Sequence, residues 1–428
     1  MPPARPWCVL AAGTLLAGIA ALTPAQTVPT PSPDAPAPVR RILVDRDLTP
    51  TPAALAYLDD DTLGLAAPDA AEIPTATLLA ILPDSRSRPP IAAWFTQPPR
   101  PGEGTPAVVE LTDGQVLLCR VAPLAGAELA AEQDADDAMI ISLDGAGVIA
   151  IPLERVARVR FDVSTDPDTP TTDDEVELRN GDRLAGFVVA LGHDVTVEVD
   201  RSPVSVPADD VLAVRLANPP EPAHATLVSL ANGSVLAVNA IERTPTSGVI
   251  LSLALAAHDT DPASAASESR TLPVALTDVL AVRYRRAAGS LLPLSETTPE
   301  GYRPTGERRW TPPPRAQTRA VGGVGDVSLP GPMAVRWTLP DGAQRFATTL
   351  ALGPGEWADC ELYVEAEQGA DTLILYRTRL RAAAPTDSLA VDLPDGARTI
   401  TIRVEPGERG PIQDAVRLVR PMVLINDR

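Results

Sequence analysis

At 428 residues the chain exceeds one ordinary domain and leaves room for roughly three or four. Only 3% of its residues are aromatic against 45% hydrophobic, so its cores must be built from Ala, Val, Leu and Ile. The formal charge is −20 and all 36 basic residues are arginine, which argues against nucleic acid and against anionic lipid as partners, since both would be repelled.

Residues 1–25 read as an export signal. Arg5 supplies the positive start, Val9 through Leu22 an apolar run, and Thr23-Pro24-Ala25 the small residues for cleavage before Gln26. The run is about 14 residues, short of the roughly 20 that span a bilayer, so cleavage is expected, with no stable membrane insertion after it. A retained anchor is the alternative. Cys8 leaves with the signal. Cys119 and Cys360 fall in different domains, so no intrachain disulfide is expected and both read as small buried hydrophobes. Residues 26–39, rich in Pro and Ala, read as a semi-extended tether.

The middle of the chain repeats itself. The pentapeptide Val211-Leu212-Ala213-Val214-Arg215 recurs unchanged at Val279-Leu280-Ala281-Val282-Arg283. Val156-Ala157-Arg158-Val159-Arg160 is a looser copy, and Leu78-Leu79-Ala80-Ile81-Leu82 a more divergent one. Shortly before each stands Pro74, Pro152, Pro207 or Ala275, after an apolar residue. A proline fixes φ and stops a strand, so the pattern predicts one tight turn and a short closing strand. Three copies also open alike, with Asp113-Gly114, Asn180-Gly181 and Asn232-Gly233 between alternating apolar residues, which predicts hairpins through type I′ turns. Hairpin, further strands, proline turn and closing strand together resemble the SH3-like and Sm-like small barrels.

The barrel repeats are assigned to residues 107–162, 174–217 and 224–286, with 40–100 as a divergent partial copy. Asp162 to Asp174 reads as a polar linker, and Asp259 to Arg270 as a loop inserted in the last repeat. Sm-like barrels often bind RNA. Between Glu175 and Leu216, however, Phe187 is the lone aromatic and no basic field is present, which argues against that use.

The C-terminal third, 287–428, alternates in short bursts. Met333, Val335, Trp337 and Leu339 share one face, as do Cys360, Leu362, Val364 and Ala366, then Leu389, Val391 and Leu393, then Ile400, Ile402 and Val404. Turns such as Pro340-Asp341-Gly342 and Gly353-Pro354-Gly355 separate them, and about seven strands predict a two-sheet sandwich. The segment opens at Leu291-Leu292-Pro293-Leu294-Ser295 and Tyr302, passes Trp310 and the run Gly322-Gly323-Val324-Gly325-Asp326-Val327, and closes with Gly407-Glu408-Arg409-Gly410-Pro411-Ile412-Gln413-Asp414 and a last strand. This order resembles the NPCBM family, the novel putative carbohydrate-binding module. The resemblance implies a galactose-binding-like jelly roll and a glycan as partner. It also implies a structural Ca²⁺ held by loop carboxylates, for which Asp326, Glu408 and Asp414 are the candidates; a capping role for Asp414 is the alternative.

Sugar binding needs an aromatic platform and polar forks. Trp337 is in phase with Met333 and Val335 and reads as core. Trp357, in the loop after Gly353-Pro354-Gly355, is the better platform. Tyr363 is out of phase with the core residues beside it, so it falls on the other sheet face, with Tyr376 joining it and Arg377 as a fork. Trp310 reads as a lid or a surface ring. His193, His224 and His258 have no metal-ligand spacing, and no His-x-Glu, Cys-x-x-Cys, Gly-x-Ser-x-Gly or P-loop pattern occurs, so no catalytic residue is assigned.

The sequence therefore reads as all-β: tandem small SH3/Sm-like β-barrel repeats followed by a C-terminal jelly-roll β-sandwich. The protein is expected to be exported, to the periplasm, the cell surface or the outside. It is expected to be non-catalytic and to bind a polysaccharide or cell-surface glycan through the sandwich, with the repeats as spacer or interaction units. The alternative is a cell-envelope scaffold that binds other proteins and no glycan.

Overall fold

The computed structural model describes residues 39–66, 70–84, 104–121, 138–162, 172–221, 225–245, 248–254, 270–285, 289–307, 309–317, 321–369, 371–411 and 413–426. The export signal, residues 26–38 of the tether, Cys8, His224 and His258 lie outside the described residues, while Val39 opens the first strand. Among the described residues the fold is all-β, relieved by single turns of 3₁₀ helix.

Four units of five strands fill the first two thirds. The first runs through Val39–Asp45, Pro50–Leu58, Thr62–Leu65 and Glu72–Pro74 to the closing strand Leu78–Pro83. The second uses Thr105–Leu111, Val116–Val121, Ala138–Leu143, Gly147–Pro152 and Val156–Arg160. The third uses Asp174–Leu178, Arg183–Leu191, Asp194–Val199, Ser202–Pro207 and Val211–Arg215; the fourth, Thr226–Leu230, Val235–Arg243, Gly248–Leu253, Thr271–Ala275 and Val279–Arg283. The segment expected to be a partial copy therefore has all five strands. The turn before each closing strand is a 3₁₀ turn, Thr75–Thr77, Leu153–Arg155, Ala208–Asp210 or Leu276–Asp278, as the proline pattern predicts.

The hairpins close differently from the expected type I′ turn, which needs positive φ at two successive residues. Here only the glycines have it: Gly114 at 83°, Gly181 at 90° and Gly233 at 101°. Each donates its N–H to the leucine three residues back (Leu111, Leu178, Leu230), and that leucine's own N–H returns to the residue after the glycine. This is a three-residue loop ending in a glycine bulge. The Asx residue is needed for another reason: Asn180 and Asn232 accept the N–H two residues on, at 2.9 Å in both cases.

Among the described residues the units do not close into barrels. Each closing strand pairs with the first strand of its own unit and with the closing strand of another, so both its edges are used and none is left for the fourth strand. The repeated pentapeptide is thus the joint between units. Val211–Arg215 pairs antiparallel with its looser copy, Arg158 opposite Arg215 and Val159 opposite Val214. Val279–Arg283 pairs with the most divergent copy, Val282 opposite Ile81. In each strand the first and fourth residues face the unit core, as Val211 and Val214 do.

The last third is a two-sheet sandwich. One sheet has six strands, with Val416–Ile425 and Ala343–Leu352 at its centre; the other has five, Gly301–Pro304, Met333–Thr338, Thr399–Pro406, Asp359–Gln368 and Asp371–Arg381. Trp337, Phe346, Leu362, Val364, Ile402 and Leu418 fill the space between them, and Trp337 is fully buried, as its phase predicts.

The sandwich is seated directly on the repeats. Leu78–Pro83 reads as an unbroken apolar run because both faces are covered. Leu78 and Ile81 serve the unit cores, while Leu79, Ala80 and Leu82 join Ile42 and Val44 against Ala347, Met422 and Leu424 of the sandwich. Leu48 belongs to the same cluster. It takes a left-handed φ of 55° at the turn position where the other units have glycine, and its side chain is buried in the seam. That conformation costs about 1–2 kcal/mol, of the same size as the roughly 1.5–3 kcal/mol that burying a leucine returns. Gly322 completes the fit: its N–H donates to Ser229 Oγ at 3.2 Å, and a Cβ there would lie 2.8 Å from that of Ala281.

Candidate functional site

At one end of the sandwich the strands stop at Leu352, Pro406 and Arg381, and the loops after them pack on one another. Gly353 donates its N–H to Ala415 at 2.7 Å, and Gly407 to Asp359 at 2.8 Å. Glycine is required at 355 and 407 by close approach. A Cβ would sit 2.2 Å from Gln413 Oε1 at the first and 2.4 Å from the Asp359 carbonyl oxygen at the second.

Beneath these loops lies a charged staple. Asp359, buried at the start of its strand, accepts from Arg379 Nε at 2.8 Å and Nη2 at 2.7 Å, a bidentate pair, and from the Glu408 N–H at 3.1 Å. Its own N–H donates to Asp414 Oδ1 at 3.2 Å. Arg379 reaches on to Glu408 Oε1 at 2.8 Å. The Arg379 guanidinium holds the Asp359 carboxyl below its ordinary range against the opposing effect of burial, and holds Glu408 low as well.

Above the staple stands Trp357, 59% exposed. Its backbone N–H donates to Gln413 Oε1 at 3.2 Å, and the Arg409 guanidinium lies over its ring at 5.6 Å from the centroid. Arg409 is in turn aimed by a 2.7 Å bond from Nη1 to the Glu356 carbonyl. The segment carrying Trp310, 73% exposed, leaves the same end: Thr305 donates its N–H to Pro332 at 3.3 Å, and Gly306 packs on Pro406.

The other expected site residues lie elsewhere. Tyr363 and Arg377 face each other across neighbouring strands on the outer side of the five-stranded sheet. Tyr363 is flanked by the guanidinium groups of Arg403 at 4.0 Å and Arg377 at 5.2 Å, and Tyr363 Oη and Arg377 Nη2 both donate to Glu361, at 2.6 and 2.8 Å. Tyr376 does not join them. It stands opposite Val364, packs against the core and donates to Asp387 Oδ2 at 2.7 Å, because successive strand residues point to opposite faces. These residues and Trp357 thus fall on three different surfaces.

The three carboxylates offered for Ca²⁺ do not converge, and among the described residues no group of three or more His, Cys, Asp or Glu is arranged to hold a metal. Glu408 is engaged by Arg379. Asp326, at the other side of the six-stranded sheet, accepts the Arg420 N–H at 3.2 Å and stands 3.6 Å from Arg417 Nε, while Asp414 is tied to the staple. Arginines and backbone N–H groups take the places a cation would fill. Cys119 and Cys360 are both free and buried, and burial pushes both thiols up, that of Cys360 to about 12, which disfavours the thiolate. Sequence reasoning passed over Gln413, whose backbone has φ 61°; nothing in Pro411-Ile412-Gln413-Asp414 announces a left-handed glutamine.

No family model matches the chain, the NPCBM family included, and no curated protein matches it. Solved structures give remote likenesses. The CBM51-2 and INT domains of Clostridium perfringens ZmpB, in complex with GlcNAc, align at 13% identity and a TM-score of 0.26, over 44% of this chain and 40% of that one. The chain thus spans less than half the length of that structure. The CBM51 of a Clostridium perfringens GH95 protein, in complex with methyl-galactose, aligns at 11% identity and 0.25, over 31% of this chain and 99% of that one. A CBM6 from Clostridium stercorarium in complex with cellobiose gives 12% and 0.19, over 33% and 97%. Scores this low leave the architecture to be argued from the chain's own strand pairings.

Proposed function

We propose that this is an exported, non-catalytic glycan-binding protein whose sandwich takes a sugar at the loop end that carries Trp357. One observation carries the reading: an indole ring left largely exposed on a loop that is otherwise fixed from several sides. An exposed ring on a floppy loop would be incidental. Here Gln413, Arg409, Gly355 and the Asp359–Arg379 staple hold the loop in place, so most of the ordering cost is met before a ligand arrives. A pyranose presents an apolar C–H face that an indole covers, with polar groups at the ring edge for its hydroxyls. A glycan array probed with the full chain tests this, with Trp357→Ala as control; equal signals from both proteins would refute the reading.

A second reading, a cell-envelope scaffold that binds another protein, draws on the third unit. Phe187 is 66% exposed there, and Val204, 37% exposed, lies in the strand Ser202–Pro207, which among the described residues is paired on one edge. Pro203 and Pro207 lack N–H groups and blunt that edge against strand addition, so the observation is the weaker of the two.

A further inference from the structure

Gln413 combines three features that ordinary loop closure does not require together. Its backbone lies in the left-handed region at φ 61°, which a residue with a Cβ adopts at a cost. Its side chain accepts the Trp357 N–H at 3.2 Å, through the space that Gly355 leaves for it. The next residue, Asp414, turns inward and is buried in the staple. A glycine at 413 would make the same turn without strain, and a strained residue at a loop end is a reason to ask what its side chain does.

The hydrogen bond fixes the orientation of the amide. A backbone N–H can only donate, so the atom facing Trp357 must be the carbonyl oxygen, and Nε2 points the other way. Gln413 is exposed, and Nε2 has no partner among the described residues. Arg409, also exposed, spends Nη1 on the Glu356 carbonyl and forms no ion pair among the described residues, unlike Arg377, Arg379 and Arg403 on the same sandwich. The indole is therefore bordered by donors.

We propose that Gln413 is a sugar-recognition residue. Its Oε1 sets the Trp357 loop while its Nε2, with the Arg409 guanidinium, donates to two neighbouring oxygens of a pyranose stacked on Trp357. This rests on the glycan reading of the loop end. The ligand class that follows is a neutral pyranoside presenting adjacent oxygen acceptors; a chain with a formal charge of −20 repels a polyanionic one.

Gln413→Glu separates the two roles, because a carboxylate keeps an acceptor for the Trp357 N–H and removes the donor. The full chain is titrated with cellobiose, N-acetylglucosamine and methyl galactoside, followed by calorimetry and tryptophan emission. Wild type is expected to bind at least one of the three. Gln413→Glu should bind that probe roughly tenfold more weakly, with its emission spectrum and melting temperature unchanged. Gln413→Gly should relieve the backbone, melt at the same or a higher temperature, and still lose binding. Wild-type affinity in Gln413→Glu would overturn this proposal and leave the glycan reading standing. Binding of none of the three by wild type, or binding indifferent to Trp357→Ala, would remove both.

Discussion

The seat of the sandwich on the repeats can be tested by a pair of glycine substitutions that share a backbone cost and differ in surroundings. Gly181 has φ 90° and open space where a Cβ would go, whereas Gly322 has φ 72° and a Cβ there would meet Ala281 at 2.8 Å and Leu82 at 3.1 Å. Gly181→Ala should therefore cost about 1–2 kcal/mol, the price of a left-handed alanine alone. Gly322→Ala carries the same backbone term plus overpacking of typically 1–3 kcal/mol, about 2–5 kcal/mol in all. Urea unfolding followed by circular dichroism and by tryptophan emission reads both, since three of the five tryptophans, Trp310, Trp337 and Trp357, lie in the sandwich. Gly322→Ala should lower the midpoint by both probes, because the cluster of Leu48, Leu82, Met422 and Leu424 opens with the seam. Gly181→Ala should move the sandwich signal little. Equal losses in the two variants, or a Gly322→Ala protein whose sandwich signal is unmoved, would show that the Gly322 contact does not hold the two parts together.

Trp357→Ala should weaken glycan binding roughly tenfold and leave the melting temperature almost unchanged. Trp337→Ala, a core truncation, should cost about 3–5 kcal/mol of stability in the same denaturation assay, and the reverse pattern would invert the two assignments. Asp359 gives a pH dependence. Its carboxyl is depressed in the folded state, so its contribution is present above the unfolded value of about 3.9 and is lost as pH falls below it toward the folded value. The stability gap between wild type and Arg379→Gln should accordingly narrow as pH is lowered from about 5 to about 3; a gap constant with pH would show that the pair is not coupled.

The repeats were legible in the sequence because the residues that repeat are those that close each unit. A proline before a 3₁₀ turn and a valine-rich strand after it leave a mark at every copy. The first unit looked incomplete for a physical reason: Leu48 replaces the turn glycine, and the cluster that accommodates it is built from residues far along the chain. The hairpin type was misjudged because Asn-Gly serves both a type I′ turn and a glycine bulge, and φ at the first residue decides between them. Of the site, the exposure of Trp357 was legible from the Gly-Pro-Gly loop before it. The role of Gln413 was not, since it depends on a contact between loops 56 residues apart. Tyr376 was misplaced because it was grouped with Arg377, its neighbour in the same strand, and strand neighbours point to opposite faces.

The two joints between closing strands explain why the loop end sits where it does. They share one pairing and differ in what they show outward. In the joint of the first and fourth units the outward positions include the apolar Ala80, Leu82 and Ala281, which the sandwich covers with Val324, Met422 and Leu424, and Arg283, which the sandwich meets with Glu296 at 2.7 Å. In the joint of the second and third units the equivalent positions hold Arg158, Arg160 and Arg215, all buried; Arg160 pairs with Glu110 at 2.7 Å, and Arg215 with Glu175 at 3.3 Å. Those guanidinium groups are buried with carboxylate partners from their own units, whereas an apolar sheet face would offer them none, and a buried ion left unpaired costs several kcal/mol. The sandwich face that carries Met422 and Leu424 therefore has one suitable seat of the two. That seat takes the outer face of the six-stranded sheet and leaves the end with Trp357, Arg409 and Gln413 exposed. Exchanging Ala80 and Leu82 for arginines should for the same reason release the sandwich from the repeats while its own core stays folded. Small-angle scattering would show this as a longer particle, and an unchanged profile in a folded variant would refute the account of the seat.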